Sequence, residues 1–191
     1  LNGGENGITL LGDTLKFVAG PQTDYFRSPD GSVVNNSAVI FTEVDNTKPF
    51  TFTAKVQPEF TETGTYSAGV IYAYENDTHC QKLCFEQDEY GDHRVVSVRT
   101  LGTSDDNNHQ AITAPYVYMR LSSDGTTLGS YFSEDGKIWR MARLYKNDFP
   151  EKLLIGISSQ SPKDNEHTCL FTEVSLTDKP VADFRKGNIA E

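Results

Sequence analysis

Short runs of alternating apolar and polar residues, each closed by turn formers, recur from residue 14 to residue 176, and no stretch has the spacing of an amphipathic helix. That signal commits the chain to β structure, because successive side chains of a strand point to opposite faces of a sheet. Eleven runs are predicted as strands: residues 14–18, 38–44, 50–56, 67–74, 81–86, 94–101, 116–121, 127–133, 139–144, 153–159 and 170–176. Turn signals separate them at Pro29-Asp30-Gly31, Tyr90-Gly91-Asp92, Ser123-Asp124-Gly125 and Glu134-Asp135-Gly136. Asp-Gly suits a two-residue type I′ hairpin, whose central residues both need positive φ. Residues 116–143 therefore read as a three-stranded meander. The run 50–56 alternates cleanly, with Phe50, Phe52, Ala54 and Val56 inward and Thr51, Thr53 and Lys55 toward solvent. So many antiparallel strands in 191 residues fit an all-β, two-sheet jelly-roll sandwich. A single domain is expected, with residues 1–7 as a flexible lead-in and a short C-terminal extension.

Charge and cysteine usage narrow the classes of partner. With a formal net charge of −10 and no basic cluster, the chain lacks what a nucleic-acid binder needs to neutralise phosphates. No run approaches the roughly 18 apolar residues of a membrane-spanning helix, so neither nucleic acid nor membrane is expected as a partner. Cys80 and Cys84 lie along one predicted strand, roughly 13 Å apart and beyond disulfide reach. A Cys84–Cys169 bridge stays open, while the odd count favours reduced thiols and a cytoplasmic setting. The four histidines are scattered and no C-x-x-C occurs, so no zinc site is expected.

Residues 82–108 carry the densest functional signal. If Leu83 and Phe85 enter a core, Lys82, Cys84 and Glu86 share the opposite face. A charged pair with a thiol between them marks a sheet face with a function. The thiol itself reads as passive and partly buried.

The runs KLCFE, RVVSVRT, SDDNN, YMRLSSDG, YFSEDGKIWRMAR and IGISSQSP, in this order, resemble a family of concanavalin A-like proteins. Its members are largely of unknown function, and it includes a yeast protein named for regulation of enolase. The resemblance extends from about Thr23 to Leu176. Thr23-Asp24-Tyr25-Phe26-Arg27 is similar to the family's early Thr-Asp-aromatic element, with Phe26 where Trp is commoner. Asn107 stands where an Ala-Asn pair is frequent. The resemblance implies a lectin/glucanase-like jelly roll, of the kind also appended to β-xylosidases, and implies no activity.

In such a jelly roll one sheet curves around a groove. Alternation offers Tyr72, Tyr74, Lys82, Glu86, Ser97, Arg99, Tyr118, Arg120, Tyr131 and Gln160 as its lining. Aromatic rings stack on sugar faces, and the charged and amide groups bond to hydroxyls. The plainer alternative is a solvated face with cross-strand ion pairs, such as Lys82 or Arg120 with Glu86. Asp24 and Arg27 are expected to brace the N-terminal turn or close the groove's end. Asp105, Asp106 and Asn107 belong to a polar run, 104–108, that reads as a loop at the rim. Calcium is the one metal its oxygens could attract, and no other cofactor is implied. Trp139 is expected to cover a sheet more than to serve as a sugar platform.

Glucanases of this fold carry their catalytic acids on one strand as Glu-x-Asp-x-Glu. Here Glu86-Gln87-Asp88-Glu89 begins that way, but Glu89 is expected on the opposite face and Asp88 at a hairpin tip. The expectation is a non-catalytic domain that binds a carbohydrate or sugar-like metabolite on its concave sheet. A regulatory module that meets a metabolic enzyme as protein partner is the alternative, and a glycoside hydrolase comes third.

Overall fold

The computed structural model describes residues 1–189, which form fifteen strands. One sheet has seven, in the order β1 (Ile8–Leu11), β2 (Thr14–Ala19), β15 (His167–Thr177), β6 (Phe50–Pro58), β11 (Val117–Ser123), β12 (Thr127–Ser133) and β13 (Arg140–Lys146). The other has six, in the order β10 (Thr103–Ala111), β9 (His93–Leu101), β8 (His79–Gln87), β7 (Ala68–Asn76), β14 (Lys152–Gln160) and β5 (Ile40–Asp45). A separate hairpin, β3 (Tyr25–Arg27) with β4 (Val33–Asn35), lies outside both sheets. This is the all-β, two-sheet antiparallel jelly roll, and each of the eleven predicted runs falls on a strand.

The core lies between the sheets and follows the alternation. Phe50, Phe52, Ala54 and Val56 of β6 face Ile71 and Ala73 of β7 and Leu83 and Phe85 of β8 in one cluster. Burying the larger of these side chains, Phe, Leu, Ile and Val, stabilises a fold by about 1.5–3 kcal/mol each. The sheets approach closely at Gly69, where a Cβ would sit 2.3 Å from Cys169 Sγ and 2.5 Å from Val56 Cγ1. All three cysteines are buried and free.

Four strands escape the alternation signal: β1, β3, β4 and β10. The polar run 104–108 is not a loop. It forms most of β10, an edge strand whose residues pair one for one with β9, from Thr103 opposite Leu101 to Asn108 opposite Val96. An edge strand exposed along nearly its whole length needs no apolar side chains, so it gave no periodicity. The Asp-Gly hairpins also differ from expectation. Gly125 and Gly136 have φ of 87° and 71°, while neither Asp124 nor Asp135 is among the positive-φ residues. The aspartates instead accept hydrogen bonds from backbone amides two and three residues on, at 2.7–2.8 Å, closing Asx-type turns.

Both ends of the described residues are fastened. Residues Gly4–Gly7 form one helical turn, Gly4 is buried, and the Leu1 amino group donates to Val39 O at 2.9 Å. The lead-in is therefore packed against the body. The C-terminal extension crosses the outer face of the seven-stranded sheet. There Thr51 Oγ1 donates to Lys179 O (2.6 Å), Tyr131 OH to Phe184 O (2.8 Å) and Arg120 Nη1 to Gly187 O (2.6 Å).

Candidate functional site

On the outer face of the six-stranded sheet an open cavity of about 760 Å³ lies over β8 and β9, within the usual range for small-molecule sites. Its floor follows from register. Lys82 pairs with Val98 and Cys84 with Val96, so the valines share a face with Lys82, Cys84 and Glu86. Phe26 and Val34 of the β3–β4 hairpin overhang one side, and Asp106 and Asn108 of β10 edge the other. An isolated bridge between Thr23 and Ser161 ties the N-terminal segment to the end of β14. That tie sets Asp24 and Gln160 beside each other over the sheet.

The two charged groups of the floor are treated differently. Lys82, 4% exposed, donates to Asp24 Oδ1 at 2.8 Å and to Gln160 Oε1 at 3.0 Å. Burial disfavours its ammonium, but the Asp24 carboxylate outweighs that and holds the lysine above its ordinary range. Gln160 is fixed in turn, its Nε2 donating to Tyr66 O at 3.2 Å. Glu86 is half-buried, and among the described residues no hydrogen bond or ion pair holds its carboxyl. Burial first, then the nearby carboxylates of Asp24, Asp106 and Asp88, push it up to about 8 against the pull of Lys82. Two of the cavity's lining residues, Gln22 (φ 54°) and Tyr66 (φ 65°), hold left-handed backbone that non-glycine residues rarely adopt. Such strain gathers where a site has to be shaped.

Residues 6–179 match the model of a family described as a protein of unknown function (DUF1349). The chain belongs to the DUF1349 family. That family lies within the concanavalin A-like lectin/glucanase superfamily, as the sequence resemblance implied. Comparison with the curated proteins gives no match. Among solved structures, a functionally unknown protein from Saccharomyces cerevisiae superposes with a TM-score of 0.82 at 23% identity, covering 93% of this chain and 94% of that one. A GH43 protein from Bacillus licheniformis gives 0.69 at 14% identity, over 91% of this DUF1349 chain but 35% of that protein. An alginate lyase from Pseudomonas aeruginosa gives 0.57 at 11%, covering 90% and 86%. These likenesses establish the fold.

The structure divides the candidate residues among several places. Lys82, Glu86, Gln160, Asp24 and Asp106 line the cavity together. Tyr72 is wholly buried beneath the β3–β4 hairpin, edge-on to Tyr25 and Phe41, and offers no stacking surface. Its hydroxyl is buried and has no partner among the described residues. Tyr74 is covered by the same hairpin and donates to Asp77. Ser97 and Arg99 pair with Leu83 and Gln81 and so face the other sheet, not the groove. There Ser97 meets His109, and Arg99 meets Asp148 at 2.6 Å and the Tyr145 ring.

Arg120, Tyr131 and Tyr118 belong to the seven-stranded sheet, so an ion pair of Arg120 with Glu86 is ruled out by topology. Arg120 lies 3.6 Å from the centre of the Trp139 ring, which covers the sheet as expected. Arg27 braces the hairpin, its Nε donating to Gly102 O at 2.9 Å. Along β10, Asp105 and Asn107 fall on the opposite face from Asp106 and Asn108. Their oxygens therefore do not converge as a calcium site needs. Burial raises the Cys84 thiol, opposed by Lys82, which leaves it protonated and passive.

Glu89 is a correction of a different kind. The turn after β8 swings it back over the groove, where it lines the cavity mouth. Asp88 is buried and pairs with Arg94 at 2.5 Å, away from the floor. Phe26, Val34, Tyr66, Val96 and Val98 were not anticipated from sequence. The valines were legible in principle, since the hairpin at 88–92 pairs Glu86 with Arg94 and fixes which residues of β9 share its face.

Proposed function

We propose that this protein binds a carbohydrate or sugar-like metabolite in the cavity over β8. The observation that carries this reading is the Glu86 carboxyl, which has no partner among the described residues, on a floor where Lys82 and Gln160 are held fixed. An uncommitted acceptor among oriented donors is what a hydroxyl-rich ligand needs. Val96, Val98 and Phe26 give the apolar surface on which the C–H face of a sugar ring rests. Kinship in fold with a GH43 protein and an alginate lyase is in keeping with it. In calorimetric titrations against a carbohydrate panel, Glu86→Ala is expected to weaken binding about tenfold or more while the protein stays folded. Unchanged affinity in that variant would contradict the assignment.

A second reading draws on the same residue. A carboxyl held up to about 8 stays protonated near neutral pH, as a general acid must. Release of reducing ends from polysaccharides, lost in Glu86→Gln, would establish a hydrolase. Its absence across the panel would leave the binding role alone.

A further inference from the structure

The charges around the cavity do not balance. Its lining holds Asp24, Glu86, Glu89 and Asp106 against Lys82 and Lys163. Lys82 and Asp24 neutralise each other at 2.8 Å. That leaves Glu86 on the floor and Glu89 and Asp106 at the mouth, facing the exposed Lys163. Among the described residues, none of these three carboxyls forms an ion pair. The register of β8 and β9 does place a cation opposite Glu86, namely Arg94. Arg94 turns away from it, to Asp88 at 2.5 Å, Asp92 at 3.7 Å and His109 O at 3.3 Å. Glu86 is thus left without the counter-ion that its position in the sheet would supply.

We propose that the cavity selects a carbohydrate carrying a positively charged group, an amino sugar being the simplest case, with the Glu86 carboxylate as its counter-ion. The inference rests on the carbohydrate reading above and names the class of sugar. An anionic sugar would face three unpaired carboxyls. A neutral one would leave Glu86 to be satisfied by a proton. An ammonium group completes the ion pair, and desolvation in the cavity strengthens it.

The groups that face Glu86 come from every element around it: Lys82 on β8, Arg94 on β9, Asp106 on β10, Asp24 before β3, Tyr66 before β7, Asp88 and Glu89 in the turn, and Lys163 after β14. Burial and the surrounding carboxylates hold Glu86 protonated up to about 8. Cation binding requires the ionised form and so expels that proton. Affinity for a cationic sugar should therefore rise by about tenfold per pH unit below pH 8, for as long as the sugar's own ammonium keeps its proton, and fall once that proton is lost.

The test is calorimetric titration of the whole chain with D-glucosamine, N-acetyl-D-glucosamine and D-glucuronate at pH 6 and pH 7. Glucosamine is expected to bind about tenfold more tightly than the other two at pH 7, and close to tenfold more tightly at pH 7 than at pH 6. In Glu86→Gln both the preference and the pH dependence should vanish. Should that variant fail to fold, Asp106→Asn, at an exposed position of the rim, should still weaken glucosamine relative to its N-acetyl form. Equal or tighter binding of N-acetylglucosamine or glucuronate would overturn the charge selection and leave the carbohydrate reading standing. Failure of these sugars and of neutral oligosaccharides alike to bind would overturn both.

Discussion

The outer faces of the two sheets are built by the same alternation yet end in opposite states. Where the C-terminal segment crosses the seven-stranded sheet, outward-pointing polar groups are engaged by the protein. Arg120 bonds to Thr53 at 2.9 Å and to Gly187 O, stacks on Trp139, and lies with Tyr131 under the C-terminal segment. On the six-stranded sheet the β3–β4 hairpin covers only one half. It seals Tyr72 and Tyr74 and leaves the half over Lys82 and Glu86 open. A buried charge with all its partners in the protein is architecture. A carboxyl whose natural cross-strand partner is engaged elsewhere is available to a ligand.

If that contrast holds, substitutions on the two faces should separate stability from binding. The largest loss of stability is expected for Lys82→Met, which strands Asp24 and Gln160. Breaking such a pair costs about 3 kcal/mol by denaturant unfolding, and binding should fall with it. Arg120→Ala leaves Thr53 and Gly187 O without their donor and unstacks Trp139. A loss of about 2 kcal/mol is expected, with carbohydrate affinity unchanged.

Glu86→Gln should act in the other direction. The folded carboxyl is held up to about 8 against an ordinary value of 4.5. Between those values the native protein binds more protons than the unfolded chain, so wild-type stability declines as pH rises through the window. The variant's advantage should therefore grow from pH 5 to pH 8 and then stay constant. It should reach about 1–2 kcal/mol, less than the full shift implies because solvent reaches the half-buried carboxyl. A difference that does not change with pH would show that Glu86 is an ordinary exposed acid. The smallest effect is expected for Tyr131→Phe, about 1 kcal/mol. It should also speed proteolytic clipping of the C-terminal segment, with no change at the cavity.

What the sequence disclosed, and what it hid, follows from the range of its signals. Alternation within a strand is local, so β6 and the shared face of Lys82, Cys84 and Glu86 were legible. Which sheet a strand joins is not local. Arg120 and Glu86 have the same outward parity, yet β11 pairs with β6 and β12 while β8 pairs with β7 and β9. Arg120 and Tyr131 were therefore assigned to the wrong face. Ser97 and Arg99 failed for a subtler reason, since their partners across β8 are the inward Leu83 and Gln81. The β10 edge strand was hidden because side chains open to water on an edge can be Asp and Asn. The cover over Tyr72 was hidden because a three-residue strand such as β3 or β4 is too short to alternate.

The most direct test of the central claim, that the open half of the six-stranded sheet is the ligand site, is amide chemical-shift mapping of the isotope-labelled protein during titration with glucosamine and neutral oligosaccharides. Saturable shifts confined to residues around Lys82, Glu86, Val96, Val98 and Gln160 are predicted, with Arg120, Tyr131 and Trp139 silent. Shifts centred on Trp139 and Arg120, with the β8 residues unmoved, would contradict it.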